Sequence, residues 1–119
     1  MDIDLLALQG QTQKGSALLK AMSNEHRLLI LCHLMHRERS VGELERVVGL
    51  SQSALSQHLA RLRKDGVVKT RRQAQTIYYS LNGPQAGAIL RVLHSLYCED
   101  ADTVPSRGRK QAGGQTDRL

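Results

Sequence analysis

Phenylalanine and tryptophan are absent from this chain, and tyrosine occurs only as Tyr78, Tyr79 and Tyr97. Proteins that hold single-stranded nucleic acid stack bases on aromatic platforms, so this scarcity argues against that class. Cysteine occurs twice, as Cys32 and Cys98, which is not the disulfide framework of a small secreted domain. No apolar run approaches the ~18 residues needed to span a bilayer. The opening Met1-Asp2-Ile3-Asp4 is acidic and lacks the basic start and apolar core of a secretory signal. A cytoplasmic protein with no membrane partner is expected. No catalytic triad or phosphate loop is recognisable. An enzyme is therefore not expected, a sulfur transfer at Cys98 being the only foothold for one, and no cofactor is expected.

What is present is positive charge, concentrated in one place. The 119 residues suit one domain and carry a net charge of +6. Residues 1–60 balance at six basic against six acidic residues. Residues 61–72 hold Arg61, Arg63, Lys64, Lys69, Arg71 and Arg72 against Asp65 alone. A localised basic patch is the electrostatic footprint of a polyanion partner. A domain this small buries only part of its surface, so a core shared with a second copy would help it.

The apolar pattern predicts a mostly helical fold with a small β-hairpin. Residues 13–22 carry Ala17, Leu18, Ala21 and Met22 at helical spacing, and residues 1–12 are a weaker helix candidate. Ser23-Asn24 offers an N-cap for a strongly apolar helix over 24–36, with Leu28, Leu31, Cys32 and Met35 along its expected inner face. Ser40-Val41-Gly42-Glu43 fits a capping box that opens a short helix with Val41, Leu44 and Val48 inward. Gly49 should stop that helix in a left-handed turn. Ser51 then caps a helix over 52–64 with a Leu55, Leu59 and Leu62 stripe, closed by Gly66. Residues 67–72 and 76–81 read as strands joined at Gln73-Ala74-Gln75. Asn82-Gly83-Pro84 breaks the second strand and starts a last helix that runs to about Cys98. Its apolar face, including Ile89, Leu90, Val92, Leu93 and Leu96, is wider than one small domain needs, and a partner helix would cover it. The expected organisation is one domain over 1–98, with dimerisation helices at both ends, and a disordered tail over 99–119 that is rich in Gly, Ser, Thr, Gln and charge.

A short helix, a glycine-containing turn and a second helix have helix-turn-helix spacing. The second helix would enter the major groove of double-stranded DNA. Its polar face supplies Ser51, Gln52, Ser53, Ser56, Gln57, His58 and Arg61. Glutamine can pair with adenine through both amide groups. Arg61 and Lys64 would reach phosphates, as would Arg71 and Arg72 of the hairpin, with Gln75 at its tip. The fold expected is a winged helix-turn-helix.

These residues also carry a family resemblance. Leu50-Ser51-Gln52-Ser53-Ala54-Leu55-Ser56-Gln57-His58-Leu59, followed by Leu62-Arg63-Lys64-Asp65-Gly66-Val67-Val68, resembles the ArsR/SmtB-type repressors. Ala21 to Leu31, with Arg27 and Ile30-Leu31, is similar to that family's second helix. The likeness spans about residues 15–98. It implies a homodimer whose first and last helices form the interface, bound to an inverted-repeat operator and repressing transcription until an inducer binds.

The resemblance also directs attention to inducer sites. The positions of the family's arsenic-type Cys-x-Cys fall on Ser40 and Gly42. Those of its zinc-type site fall on Gly83, Gln85, Leu96 and Glu99, of which only Glu99 could ligate. Cys32 and Cys98 are similar to the dithiol pair of the persulfide sensors in this family, which include the sulfide-responsive and biofilm-associated repressors. That likeness implies reactive sulfur species as inducer, linking the two thiols and releasing DNA. A rival use of the same residues is a zinc or copper site. Cys32 and His36 are four apart, as are His94 and Cys98, which places each pair on one helix face. A third possibility is constitutive DNA binding with inert thiols.

Overall fold

Local hydrogen bonds set the ends of most helices in this protein. The computed structural model describes residues 2–99; of the tail expected over 99–119, Glu99 belongs to the last helical turn and the rest lies outside the described residues. Asp4 caps the short helix α1 (Leu5–Gln9), accepting from the Ala7 N–H, and α2 (Thr12–Met22) follows. Asn24 caps α3 (Glu25–Leu34), its side-chain oxygen accepting from the N–H groups of His26 and Arg27 at 2.9 and 3.0 Å.

The expected capping box opens α4 (Val41–Val48). The Glu43 N–H donates to Ser40 Oγ at 3.1 Å, and the Ser40 N–H donates to Glu43 Oε1 at 2.9 Å. Gly49 ends α4 at φ 70°, a left-handed conformation that costs other residues about 1–2 kcal/mol. Ser51 caps α5 (Gln52–Lys64) by accepting from the Ala54 N–H at 3.1 Å. At its far end the Val67 N–H donates to the Leu62 carbonyl and the Gly66 N–H to the Arg63 carbonyl, each at 3.0 Å. This reciprocal pair turns the chain sharply from helix into strand, with Gly66 at φ 75°.

The sheet has one strand more than the sequence predicts. β2 (Val68–Gln73) and β3 (Thr76–Leu81) form the expected hairpin, and Arg39–Ser40, β1, adds to it, in the order β1-β3-β2. Arg39 pairs with Tyr79 and Ser40 with Tyr78, while Arg71 pairs with Tyr78 across the hairpin. β1 escapes sequence patterning because two residues are too few to show alternation. Ala74 in the hairpin loop has φ 57°.

The described residues fall into two units, one ending at Gly87 and the other beginning at Ala88. In the first, α3 packs against α4, α5 and β3. Ile30, Leu31, Leu44, Leu55, Leu59, Leu62 and Val68 are fully buried there. Each such leucine contributes about 1.5–3 kcal/mol by leaving water. The predicted stripe of α5 is therefore the one that faces inward. The inner face of α3 is not the predicted one: Arg27, Ile30, Leu31 and Leu34 are buried, whereas Leu28 and Met35 are half-buried and Cys32 is exposed. α3 also ends at Leu34 rather than at residue 36, its last turn tightened by the Met35 N–H bonding the carbonyls of both Leu31 and Cys32. The Arg39 Nε takes a further end carbonyl, that of His33, at 3.2 Å.

The second unit holds most of α6 (Gln85–His94), which widens into a π-helical turn at Ser95–Glu99. Val92, Leu96 and Tyr97 are exposed on it. No helix among the described residues is long and apolar enough to cross a membrane.

Candidate nucleic-acid interface

α5 is held by its apolar stripe, and this dictates which residues it offers outward. With Leu55, Leu59 and Leu62 turned in, Gln52, Ser53, Ser56, Gln57, Arg61 and Lys64 are all exposed. The Ser51 hydroxyl accepts from the first turn, which leaves its proton to donate outward. His58 departs from this face. It is half-buried, and its ring centroid lies 5.9 Å from that of His26 on α3. Burial, and then the nearby Arg27 and His26, push its pKa down, which favours the neutral ring.

Beside this helix the hairpin carries the second part of the basic patch. Arg71, Arg72 and Gln75 are all exposed. A groove of about 460 Å³ runs between α5 and β3, lined by Ser56, Ala60, Arg63 and Lys64 on the helix and Tyr79 on the strand. The sequence reading assigned Lys64 a role but passed over Arg63, although the helical period puts both in the last turn of α5. Basic residues there also complement the negative end of the helix dipole.

Two arginines expected to reach phosphates are already engaged. Arg61 Nε donates to Asp65 Oδ2 at 2.9 Å, one turn along the helix. Arg71 is held by Glu38, a residue that sequence reasoning did not single out. Its Nε donates to the two Glu38 oxygens at 2.9 and 3.0 Å, its Nη2 donates to Oε1, and its Nη1 donates to Gln73 Oε1 at 2.9 Å. The guanidinium lies 4.5 Å above the Tyr78 ring. The Glu38 carboxyl is held below its usual pKa by this bond, and the Arg71 guanidinium above its own. Arg72 and Lys64 form no ion pair among the described residues.

Residues 24–70 match the family described as "Bacterial regulatory protein, arsR family". The chain is 52% identical over 97 residues to the transcriptional activator HlyU of Vibrio cholerae, covering 82% of this chain and 90% of that protein. The chain belongs to the ArsR family. Its structure resembles that of reduced HlyU from Vibrio cholerae, with a TM-score of 0.71 at 53% identity, over 77% of this chain and 97% of that one. It also resembles the transcriptional repressor BigR from Xylella fastidiosa, with a TM-score of 0.77 at 35% identity, over 81% and 98% of the two chains. The winged-helix architecture and the role of transcriptional regulator, rather than enzyme, follow from this membership.

Cys32 and Cys98 are both exposed, and neither is in a disulfide. Cys32 was expected on the buried face of its helix; the rotation of α3 by one residue places it outside. The spacing argument for a metal site does not carry over from the sequence. His36 lies beyond the end of α3, and Cys98 lies in a π-helical rather than an α-helical turn. Among the described residues no three His, Cys, Asp or Glu side chains gather where a metal ion could be held.

Proposed function

We propose that this chain acts as a homodimeric repressor of an inverted-repeat operator and that reactive sulfur species release it from DNA by linking Cys32 to Cys98. The observation that carries the reading is the exposure of both thiols, Cys32 above all, since a buried cysteine would be an inert apolar residue. BigR, named as a repressor, supports the direction of regulation, and HlyU, named as an activator, was solved in a form named as reduced.

Ser51, Gln52, Ser53, Ser56, Gln57 and Arg61 offer the groups that would meet base edges and phosphates, with Lys64, Arg72 and Gln75 alongside. His58 instead supports the seat of the helix. Exposed apolar residues favour a second copy as partner. Ile3, Leu5, Leu6, Leu8 and Leu19 are exposed on the N-terminal segment, and Val92, Leu96 and Tyr97 on the last helix. Twofold symmetry then calls for two half-sites.

The sulfur chemistry balances with a polysulfide as oxidant. One cysteine thiolate attacks an inner sulfur of the polysulfide, and the rest of that chain leaves as a shorter polysulfide anion. The second thiolate attacks the newly added sulfur and expels hydrosulfide. The two thiols lose two electrons, the polysulfide gains them, and a cysteine–sulfur–cysteine bridge remains. A bridge with an extra sulfur atom spans a longer gap than a direct disulfide, whose Cα atoms must lie within about 7 Å. The test is intact mass spectrometry after polysulfide treatment, with a DNA-binding assay on the same sample. The expected result is a mass gain of sulfur less two hydrogens, together with loss of DNA binding. Sulfur uptake with DNA binding unchanged would overturn the reading.

A further inference from the structure

We propose that Glu38 competes with DNA for Arg71, so that the wing is held partly neutralised until a phosphate displaces the carboxylate. The proposal rests on the reading of the hairpin as a phosphate contact. Glu38 takes the Nε and Nη2 donors of Arg71, Gln73 takes Nη1, and Tyr78 covers one face of the guanidinium. Both donor edges of the fork are in use. A carboxylate and a phosphate present the same pair of oxygens to an arginine, so Glu38 and the DNA backbone are alternative partners for one group.

Glu38 is poorly placed to accompany Arg71 onto DNA. Its carbonyl accepts from Arg37 Nη1 at 3.0 Å, and Arg37 Nη2 is tied to Glu43 of α4 at 2.7 Å. On its other side Arg39 is paired into the sheet and bonded to the His33 carbonyl. The segment is thus anchored to α3, α4 and β3 while the Arg71 side chain is half-exposed. Pairs this exposed are weak, because water and salt screen them, so exchange onto a phosphate is accessible. Once it occurs, the Glu38–Arg71 pair is broken, and that loss offsets part of what the phosphate contact contributes, which lowers the affinity the wing can reach. Glu38 is in this sense a positioning residue: it sets how much of the Arg71 charge the operator receives.

The experiment is Glu38→Gln, titrated against labelled duplex DNA by fluorescence anisotropy over a range of salt. The variant should bind more tightly at low salt. Its salt slope should be steeper by about 0.9, so its advantage should shrink roughly 3.5-fold between about 50 and 200 mM salt. In the Glu38→Gln, Arg71→Ala double variant the advantage should vanish. A gain that persists without Arg71 would reveal general repulsion between Glu38 and DNA and overturn the exchange, as would a Glu38→Gln variant that binds no better than the unmodified protein. If Arg71→Ala and Arg72→Ala both leave DNA binding unchanged, the wing reading fails first and the exchange with it. If those variants weaken binding while Glu38→Gln changes nothing, the exchange alone fails.

Discussion

The Arg27 side chain on α3 donates through Nε to the Ala21 carbonyl of α2 at 2.6 Å, closing the end of one helix with a buried cation from the next. Its Nη2 reaches the carbonyls of Lys20 and Ser23 at 3.4 and 3.5 Å. They lie at the end of α2, where carbonyls lose their intrahelical partners, and the Lys20 carbonyl also accepts from the Ser23 N–H at 3.3 Å. Burial lowers the Arg27 pKa, Arg61 lowers it further, and Asp65 works in the opposite direction.

Replacing Arg27 should therefore cost stability. Arg27→Met keeps the apolar stem but strands the Ala21 carbonyl. A loss of about 2–3 kcal/mol is expected for a hydrogen bond to a charged donor at a buried site. Arg27→Lys keeps the charge but not the fork, and should recover only part of it. Urea unfolding checks both; midpoints equal to that of the unmodified protein would refute the capping role.

Acid should loosen the seat of α5. The His58 pKa is lowered in the folded state, first by burial and then by Arg27 and His26. The His33 pKa is lowered as well, first by burial and then by Arg39 and His36. The unfolded chain therefore binds protons at a higher pH than the folded one. Stability is fully present above the ordinary histidine value of about 6.5 and falls as the pH drops below it. Thermal unfolding between about pH 7.5 and 5 should show a falling melting temperature, and His58→Gln should flatten the slope. Glu43, lowered to about 2 mainly by its bond from Arg37, adds a separate loss that begins as the pH falls into the normal carboxylate range.

Base and phosphate contacts should separate in binding experiments. Arg72→Ala should weaken binding to every duplex alike and reduce the salt slope by about 0.9. Arg71→Ala should do less, because Glu38 already occupies that side chain. Gln57→Ala should instead reduce discrimination between operator and unrelated DNA, by roughly 1–3 kcal/mol for a bidentate base contact. Equal losses on all sequences for Gln57→Ala would remove it from the set of base-reading residues.

The thiols should be dispensable for binding and required for release. Cys32→Ser and Cys98→Ser should each hold DNA as the unmodified protein does, and neither should let go on polysulfide addition. A hundredfold loss of affinity on bridging corresponds to about 2.7 kcal/mol of coupling between the bridge and the DNA-bound form. Release that survives in Cys98→Ser would eliminate the dithiol mechanism and leave the DNA-binding assignment standing.

The caps were legible in the sequence because their physics is local. Asn24, Ser40, Glu43 and Ser51 bond backbone groups two or three residues away, and Gly49 and Gly66 answer a backbone conformation that side chains disfavour. The helical period of α5 likewise announced its buried leucines and so its outward residues. A single strong apolar stripe leaves only one way to dock.

The rest was decided by partners distant in the chain. Arg27, Arg61 and Arg71 read alike as basic residues. Only the fold places one under the end of α2, ties the second to its own helix and hands the third to Glu38. β1 exists because Tyr78 and Tyr79 lie beside Arg39 and Ser40, not because two residues prefer to be extended. The largest consequence is in α3. From Leu28 to Cys32 that helix is apolar on nearly every side, so its composition names no inner face, and the sequence pattern put Cys32 inward. Packing against α4, α5 and β3 buries Ile30, Leu31 and Leu34 instead and leaves the thiol outside. The sequence by itself determined that a helix forms there and that a cysteine sits on it. Tertiary packing decided which way that helix is turned, because an all-round apolar helix takes its orientation from the surfaces it meets.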